Sequence, residues 1–294
     1  MATDRDVMRL EEEIAGLDAL DIVRTERTNR TAQIWSALWP KLAAVAIFFA
    51  IWQIVDWSNW REDFALPGPT TVLPDLARLL KTSEFWRVTF ATTMRRAFTG
   101  YGLAVVLGTA LGLGVSRSSI VRRALGSFIT GLQTMPSVVW FPLAILVFGP
   151  EESAILFVVV LGAFPSVANG LVSGVDHIPP LYLRAGRVLG ARGLSSVRHV
   201  VLPAALPAYV AGLKQGWAFM WRSLLAGELI VSIGARSSLG AGLFNAGAVN
   251  DATHVMAFMI VIFMVGVFVD GFVFSRIEKT IRRRRGLIEV GATA

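Results

Sequence analysis

The chain has no cysteine among its 294 residues. That excludes disulfides, thiol catalysis and cysteine-ligated metal sites. Histidine is scarce as well. His177, His199 and His254 are the only three, and none has a second histidine at ligand spacing, so no metal site is expected. Charge is the third shortage: 17% of residues are charged, against about 25% in an ordinary soluble domain. Hydrophobic residues reach 54%, and the mean hydropathy is +0.59. Such a chain has too little polar surface for a soluble enzyme, a disordered segment or a compact nucleic-acid module. A multi-spanning membrane protein remains.

The net charge of +7 does not change that conclusion. The basic residues lie between apolar runs rather than on one folded face, so no nucleic-acid partner is expected. Such a surplus reports orientation and contact with anionic lipid headgroups. The first 41 residues are mostly polar, so no cleavable leader is expected.

A bilayer core about 30 Å thick needs about 20 apolar residues per helix. Six segments qualify: Leu42–Trp57, Ala97–Val115, Leu125–Phe148 with Pro136 and Pro142 inside, Ala154–Val175 with Pro165 inside, Ala204–Ile233 and Val255–Phe274. The first is short, but Trp35, Trp39, Trp52 and Trp57 stand near its ends, where tryptophan suits the interfaces. The second carries Gly108-Thr109-Ala110-Leu111-Gly112, a small-residue pattern that permits close helix contact. With the N-terminus inside, 19 Lys and Arg fall in inner segments and 5 in outer ones. Both termini are therefore expected on the cytoplasmic side. The expected organisation is a cytoplasmic amphipathic segment at 1–41, a membrane domain at 42–280 with a cytoplasmic loop at 176–202, and a basic tail at 281–294.

Leu10, Ile14 and Leu17 give the N-terminal segment a helical apolar spacing beside Glu11, Glu12 and Glu13. Arg282–Arg285 suit an anionic inner leaflet. In the outer loop, Leu66-Pro67-Gly68-Pro69-Thr70-Thr71 marks a turn, and either threonine can cap a short helix through Leu80. That helix has two possible places, on the outer interface or on the bundle.

The loop between the fourth and fifth spans is the most informative segment. Pro180 suits the first turn of a helix, which runs to about Leu189 and stops at Gly190. A second short stretch leads to Leu202-Pro203. A helix–Gly–helix insert of this kind is built either as a plug for another protein's groove or as an interfacial amphipathic helix.

Arg184-Ala185-Gly186-Arg187-Val188-Leu189-Gly190, followed by Val201-Leu202-Pro203, resembles the coupling loop of ABC importer permeases. Ala185 and Gly190 match that motif; Arg184 stands where it has an acidic residue and Gly186 where it has a second alanine. Leu66-Pro67, Gln133–Ser137 with Phe141-Pro142-Leu143, Phe148–Ser153 and Gly212–Phe219 with Trp221-Arg222 and Gly227-Glu228-Leu229 are similar to the nitrate/sulfonate/taurine branch, in the same order. The resemblance implies an all-α polytopic transmembrane bundle of six helices with the type I ABC importer permease (MetI-like) fold. It implies an importer with two permease copies, two cytoplasmic ABC ATPases and an external solute-binding protein, in a bacterial cytoplasmic membrane. Arg184, Ala185, Gly186, Arg187, Gly190 and Ala191 would form the ATPase-coupling loop. No Walker A sequence is present, so the chain is expected to be no enzyme and to bind no cofactor, with ATP and Mg held by the ATPase. The cargo expected from this branch is a small anion, aliphatic sulfonate or taurine before nitrate.

Charges inside a membrane face the bundle or a water path. Lys214, Trp221 and Glu228 recur every seventh residue on one stripe, with Trp217 beside them; Gln215 and Arg222 share an adjacent stripe. Guanidinium binds oxyanions with two parallel hydrogen bonds, which makes Arg222 the leading anion contact. The rival role is structural, with Arg222 or Lys214 paired to Glu228 or stabilising the dimer interface. Gln133, Ser137 and Trp140 flank the Pro136 break and line either the translocation path or a proline kink. Arg95 and Arg96 either attract anions or snorkel to headgroups. A secondary transporter working without an ATPase is the alternative class; no internal repeat supports it.

Overall fold

The computed structural model describes residues 30–58, 65–116, 119–231 and 237–284. The amphipathic pattern at Leu10–Leu17, and Arg285 of the basic run, lie outside them. The described residues contain helices and no strand. The chain divides into two units, Met1–Ile54 with Thr293–Ala294, and Val55–Ala292. The first unit holds most of α1 (Arg30–Trp57), which starts well before the expected Leu42 and carries Pro40 inside it. Its span Leu38–Trp57 is apolar and exposed nearly throughout.

The second unit is the helix bundle. It opens with α2 (Pro69–Lys81). Neither Thr70 nor Thr71 caps this helix. Gly68 is the N-cap, and its carbonyl accepts from the N–H groups of Thr71 and Val72 at 3.0 and 3.1 Å. Val72 is fully buried, and Leu76, Leu79 and Leu80 pack on the core, so α2 rests on the bundle. Asp75, also buried, meets His254 Nδ1 at 2.9 Å.

A π turn at Phe85–Phe90 runs into α3 (Ala91–Ser116). This span begins earlier than the expected Ala97. Counting apolar residues stops at Arg95-Arg96, whereas the helix passes through them because both have carboxylate partners. Next come α4 (Ser119–Thr134), a 3-10 turn at Ser137–Trp140 and α5 (Phe141–Phe148). The expected third helix is thus broken, and its two halves are bent by 99°. Pro136 has no N–H to give and forces Met135 away from helical geometry. Pro142 in the first turn then restarts the helix.

The centre of the unit is α6 (Glu152–Asp176). It is followed by α7 (Pro180–Val188), α8 (Gly193–Ser196), a π turn at Val197–Val201 and α9 (Leu202–Ile230). The last three form one continuous span, Gly193–Ile230. The π turn lies directly ahead of Pro203, which supplies no N–H to the ladder. The described residues end in α10 (Leu239–Ala248), then α11 (Ala252–Phe268), a π turn at Val269–Phe274 and α12 (Ser275–Arg284). These last three elements also form one helix, which carries the expected sixth span on into the basic run. Among the described residues, five helices are long and apolar enough to cross a membrane, and six when the bent pair is counted as one span.

Small residues set the packing of α6. In lipid, close backbone approach replaces the apolar driving force between helices. A Cβ on Gly170 would lie 2.5 Å from the Cα of Gly212 on α9, and one on Gly108 of α3 would lie 2.6 Å from the Phe164 carbonyl. Gly102 and Gly114 face open space instead. The outer surface is apolar: Phe98, Val106, Phe128, Leu146 and Phe263 are all exposed. The buried interior holds Thr93, Arg96, Ser166 and Glu228.

Candidate functional site

Three groupings of side chains stand out. The first is a buried ion-pair network joining α3, α6, α9 and α10. Arg96 Nη1 donates to Glu228 Oε1 at 3.0 Å, and Arg96 Nε donates to Glu152 Oε1 at 3.2 Å. Thr93 Oγ1 donates to Glu228 at 3.0 Å and accepts from the Leu239 N–H at 2.9 Å. Glu228 Oε2 accepts from the Gly240 N–H at 3.0 Å. Arg95 pairs with Glu152 at 2.7 Å. Glu228 is therefore partnered by Arg96, not by Arg222 or Lys214, and Arg96 is buried among protein groups rather than reaching for headgroups. Arg96 and Glu152 escaped sequence reasoning as partners. The available signal was two opposite charges, each just ahead of an apolar span.

The second grouping lines a cavity of about 410 Å³ at the α4–α5 break. Gln133, Ser137 and Arg222 meet there, with Gly162, Phe219 and Ser223. Gln133 Nε2 donates to Ser166 Oγ at 2.9 Å, and Asn169 Nδ2 donates to Gln133 Oε1 at 3.2 Å. Arg222 is exposed, and its guanidinium lies over the Phe219 ring, 4.7 Å from the centroid. Phe219 holds the cation by ring attraction without occupying its hydrogen-bond donors.

Other path candidates lie elsewhere. Trp217 and Trp221 are buried and stacked, with centroids 6.4 Å apart, and Tyr101 packs edge-on against Trp217. Trp140 packs on the same core. Lys214 is half-buried and reaches Asp270 at 3.0 Å and Glu278 at 4.0 Å, tying α9 to the last helix.

The third grouping is the 176–202 loop. α7 starts at Pro180, and Gly190 follows it with φ +83°. The Ala191 N–H closes back on the Gly186 carbonyl at 2.9 Å, the closure that a left-handed residue permits. Gly186 is the one buried residue of α7; a Cβ there would lie 2.7 Å from Val200 Cγ2. Arg184, Ala185, Arg187 and Gly190 are exposed, and Ala191 is half-buried. Leu181, Val188, Leu189 and Leu194 are exposed too, at 68%, 87%, 86% and 79%. α7 thus stands on the bundle through one glycine and turns an apolar, basic surface outward.

Residues 82–283 match the family described as binding-protein-dependent transport system inner membrane component. The chain belongs to that family. A protein of Brucella melitensis biotype 1 named as an ABC transporter permease is 30% identical over 205 residues, covering 70% of this chain and 82% of the relative. The nitrate import permease protein of Synechococcus elongatus is 25% identical, covering 79% and 85%. A protein of Bacillus subtilis named for aliphatic sulfonates transport is 28% identical, covering 80% and 84%. Inward-facing structures of a methionine ABC transporter share the fold at a TM-score of 0.56 and 19% identity, over 64% of this chain and 92% of theirs. An amino acid ABC transporter crystallised with histidines aligns at 0.53 and 20%, over 71% and 98%. This ABC importer permease is a multi-pass membrane protein, and its family transports rather than catalyses.

Proposed function

We propose that this permease moves a small oxyanion inward, an aliphatic sulfonate or taurine before nitrate, by alternating access driven by a partner ATPase. The observation that carries the cargo class is Arg222 in the cavity at the α4–α5 break. An arginine held over Phe219 keeps its donors available, and Gln133, Ser137 and Ser223 add neutral polar groups beside it. Guanidinium is shaped for two parallel hydrogen bonds to sulfonate, nitrate or carboxylate. The relatives named for nitrate and for aliphatic sulfonates support the same class.

The driving step begins at the loop. Two copies of the permease present their α7 surfaces to two cytoplasmic ATPases, which hold ATP and Mg. Arg184, Ala185, Arg187, Gly190 and Ala191 shape that surface, Gly186 seats α7 on the bundle rather than facing outward, and the exposed leucines fill a groove on the ATPase. ATP and the loaded external binding protein both favour one arrangement of the bundle, so each shifts its two-state equilibrium. The distribution of basic residues puts both termini on the cytoplasmic side, and the basic end of α12 meets anionic lipid there.

Uptake by the assembled transporter tests the cargo site. Arg222→Ala lowers taurine, alkyl sulfonate or nitrate uptake at least about tenfold, as loss of a charged hydrogen-bonding contact does, while the ATPase still co-purifies. Arg222→Lys keeps the charge and loses less. Full uptake by Arg222→Ala would overturn the assignment.

A further inference from the structure

α4 is fastened to α6 at both ends. At its start, Arg122 Nη1 pairs with Asp176 Oδ1, and Arg122 Nη2 donates to the Ser116 carbonyl at 3.0 Å. One guanidinium therefore ties together the end of α3, the first turn of α4 and the last residue of α6. Near its other end, Gln133 is bonded to Ser166 and Asn169 on α6. About 16 Å of helix separates Arg122 from Gln133, and about 15 Å separates Ser166 from Asp176, at 1.5 Å per residue. The two helices run in opposite directions between matched fastenings.

The two ends lie at different functional groupings. Asp176 is where α6 stops and the α7 loop begins. His177 folds back on the Ser173 carbonyl, Ile178 is buried with Leu171 and Ala205, and Pro180 opens α7. Gln133 lies in the cavity that holds Arg222. Arg122 and Asp176 are each about one-third exposed, and Arg122 Nε is buried without a partner among the described residues. Without Asp176 the guanidinium keeps only the Ser116 carbonyl among the described residues, so the tie to α6 depends on the pair.

We propose that the Arg122–Asp176 pair is the joint that carries movement of the α7 loop into α4, and through α4 to the cavity lined by Gln133. Both are positioning residues: neither touches cargo or ATP. This rests on the docking of α7 against an ATPase.

Labelled cysteines test the joint, because the chain has none of its own. Gly131→Cys reports on α4, where an added side chain meets open space, and Arg192→Cys reports on the α7 loop. Each spin-labelled chain is combined with the unlabelled ATPase that co-purifies with it, and the spectral change on adding ATP is measured. In the otherwise native chain both labels respond. In Asp176→Asn the Arg192 label keeps its response and the Gly131 label loses at least about fivefold, with ATP hydrolysis retained; Arg122→Asp combined with Asp176→Arg restores it to within about twofold. A merely structural pair would move both labels together or neither. An undiminished Gly131 response in Asp176→Asn, or a reversed pair no better than its single changes, would overturn the joint. If the Arg192 label fails to respond to ATP in the otherwise native chain, the docking assignment fails and the joint with it.

Discussion

Arg96 and Glu228 form an ion pair at 3.0 Å with both side chains buried, between helices far apart in the sequence. Glu228 is further satisfied by Thr93 and by the Gly240 N–H, so its charge is fully dressed. Breaking a buried pair so that one charge is left uncompensated costs about 3–5 kcal/mol; Arg96 keeps Glu152 at 3.2 Å when Glu228 is removed, so the loss falls below that figure. Glu228→Ala is expected to lower the thermal unfolding midpoint of the detergent-purified protein sharply. Glu228→Gln keeps the shape and the acceptor for Gly240, and loses less. An unchanged midpoint in Glu228→Ala would contradict the geometry.

The contact between α6 and α9 at Gly170 and Gly212 leaves no room for a side chain. Gly170→Val must push the helices apart, an overpacking penalty of about 1–3 kcal/mol. Gly102→Val on α3 faces open space and is the matched control. Unfolding midpoints of the two variants should separate, with only Gly170→Val lowered. Equal midpoints would show that the helices do not meet at these glycines.

Gly190 is constrained by backbone and not by space: its φ is +83°, and no atom would crowd a Cβ there. A β-branched residue in that conformation is strained by about 1–3 kcal/mol, whereas asparagine tolerates it better. Gly190→Val should weaken ATPase co-purification and Gly190→Asn should largely keep it. If both lose the ATPase equally, the turn conformation is not what matters.

Much of this was legible in the sequence, for identifiable reasons. Apolar runs located the spans, because a bilayer fixes the length of a helix. Pro180 and Gly190 delimited α7, since one fits the first turn of a helix and the other a left-handed end. The stripe of Lys214, Trp221 and Glu228 does turn inward: Trp221 and Glu228 are buried and Lys214 is half-buried. Helical spacing reveals a shared face and says nothing about what lies across from it. Hence Glu228 could be placed on a stripe, but its partner Arg96, 132 positions away, could not be read off. The early start of α3 was hidden for the same reason: Arg95 and Arg96 look like the end of an apolar helix until Glu152 and Glu228 are placed beside them. The 99° bend at Pro136 was visible only as an interruption, because a proline marks a break and neighbouring helices decide its angle.

We propose that an ATPase drives this permease through the α7 loop. The most direct measurement is mild extraction of the tagged chain from its native membrane, with mass spectrometry of the proteins that co-purify. The expected result is an ATPase carrying a Walker A sequence, stoichiometric with the permease and lost when Ala185 and Gly190 are replaced by bulky residues. A clean preparation without any ATPase, even after cross-linking in the membrane, would contradict it.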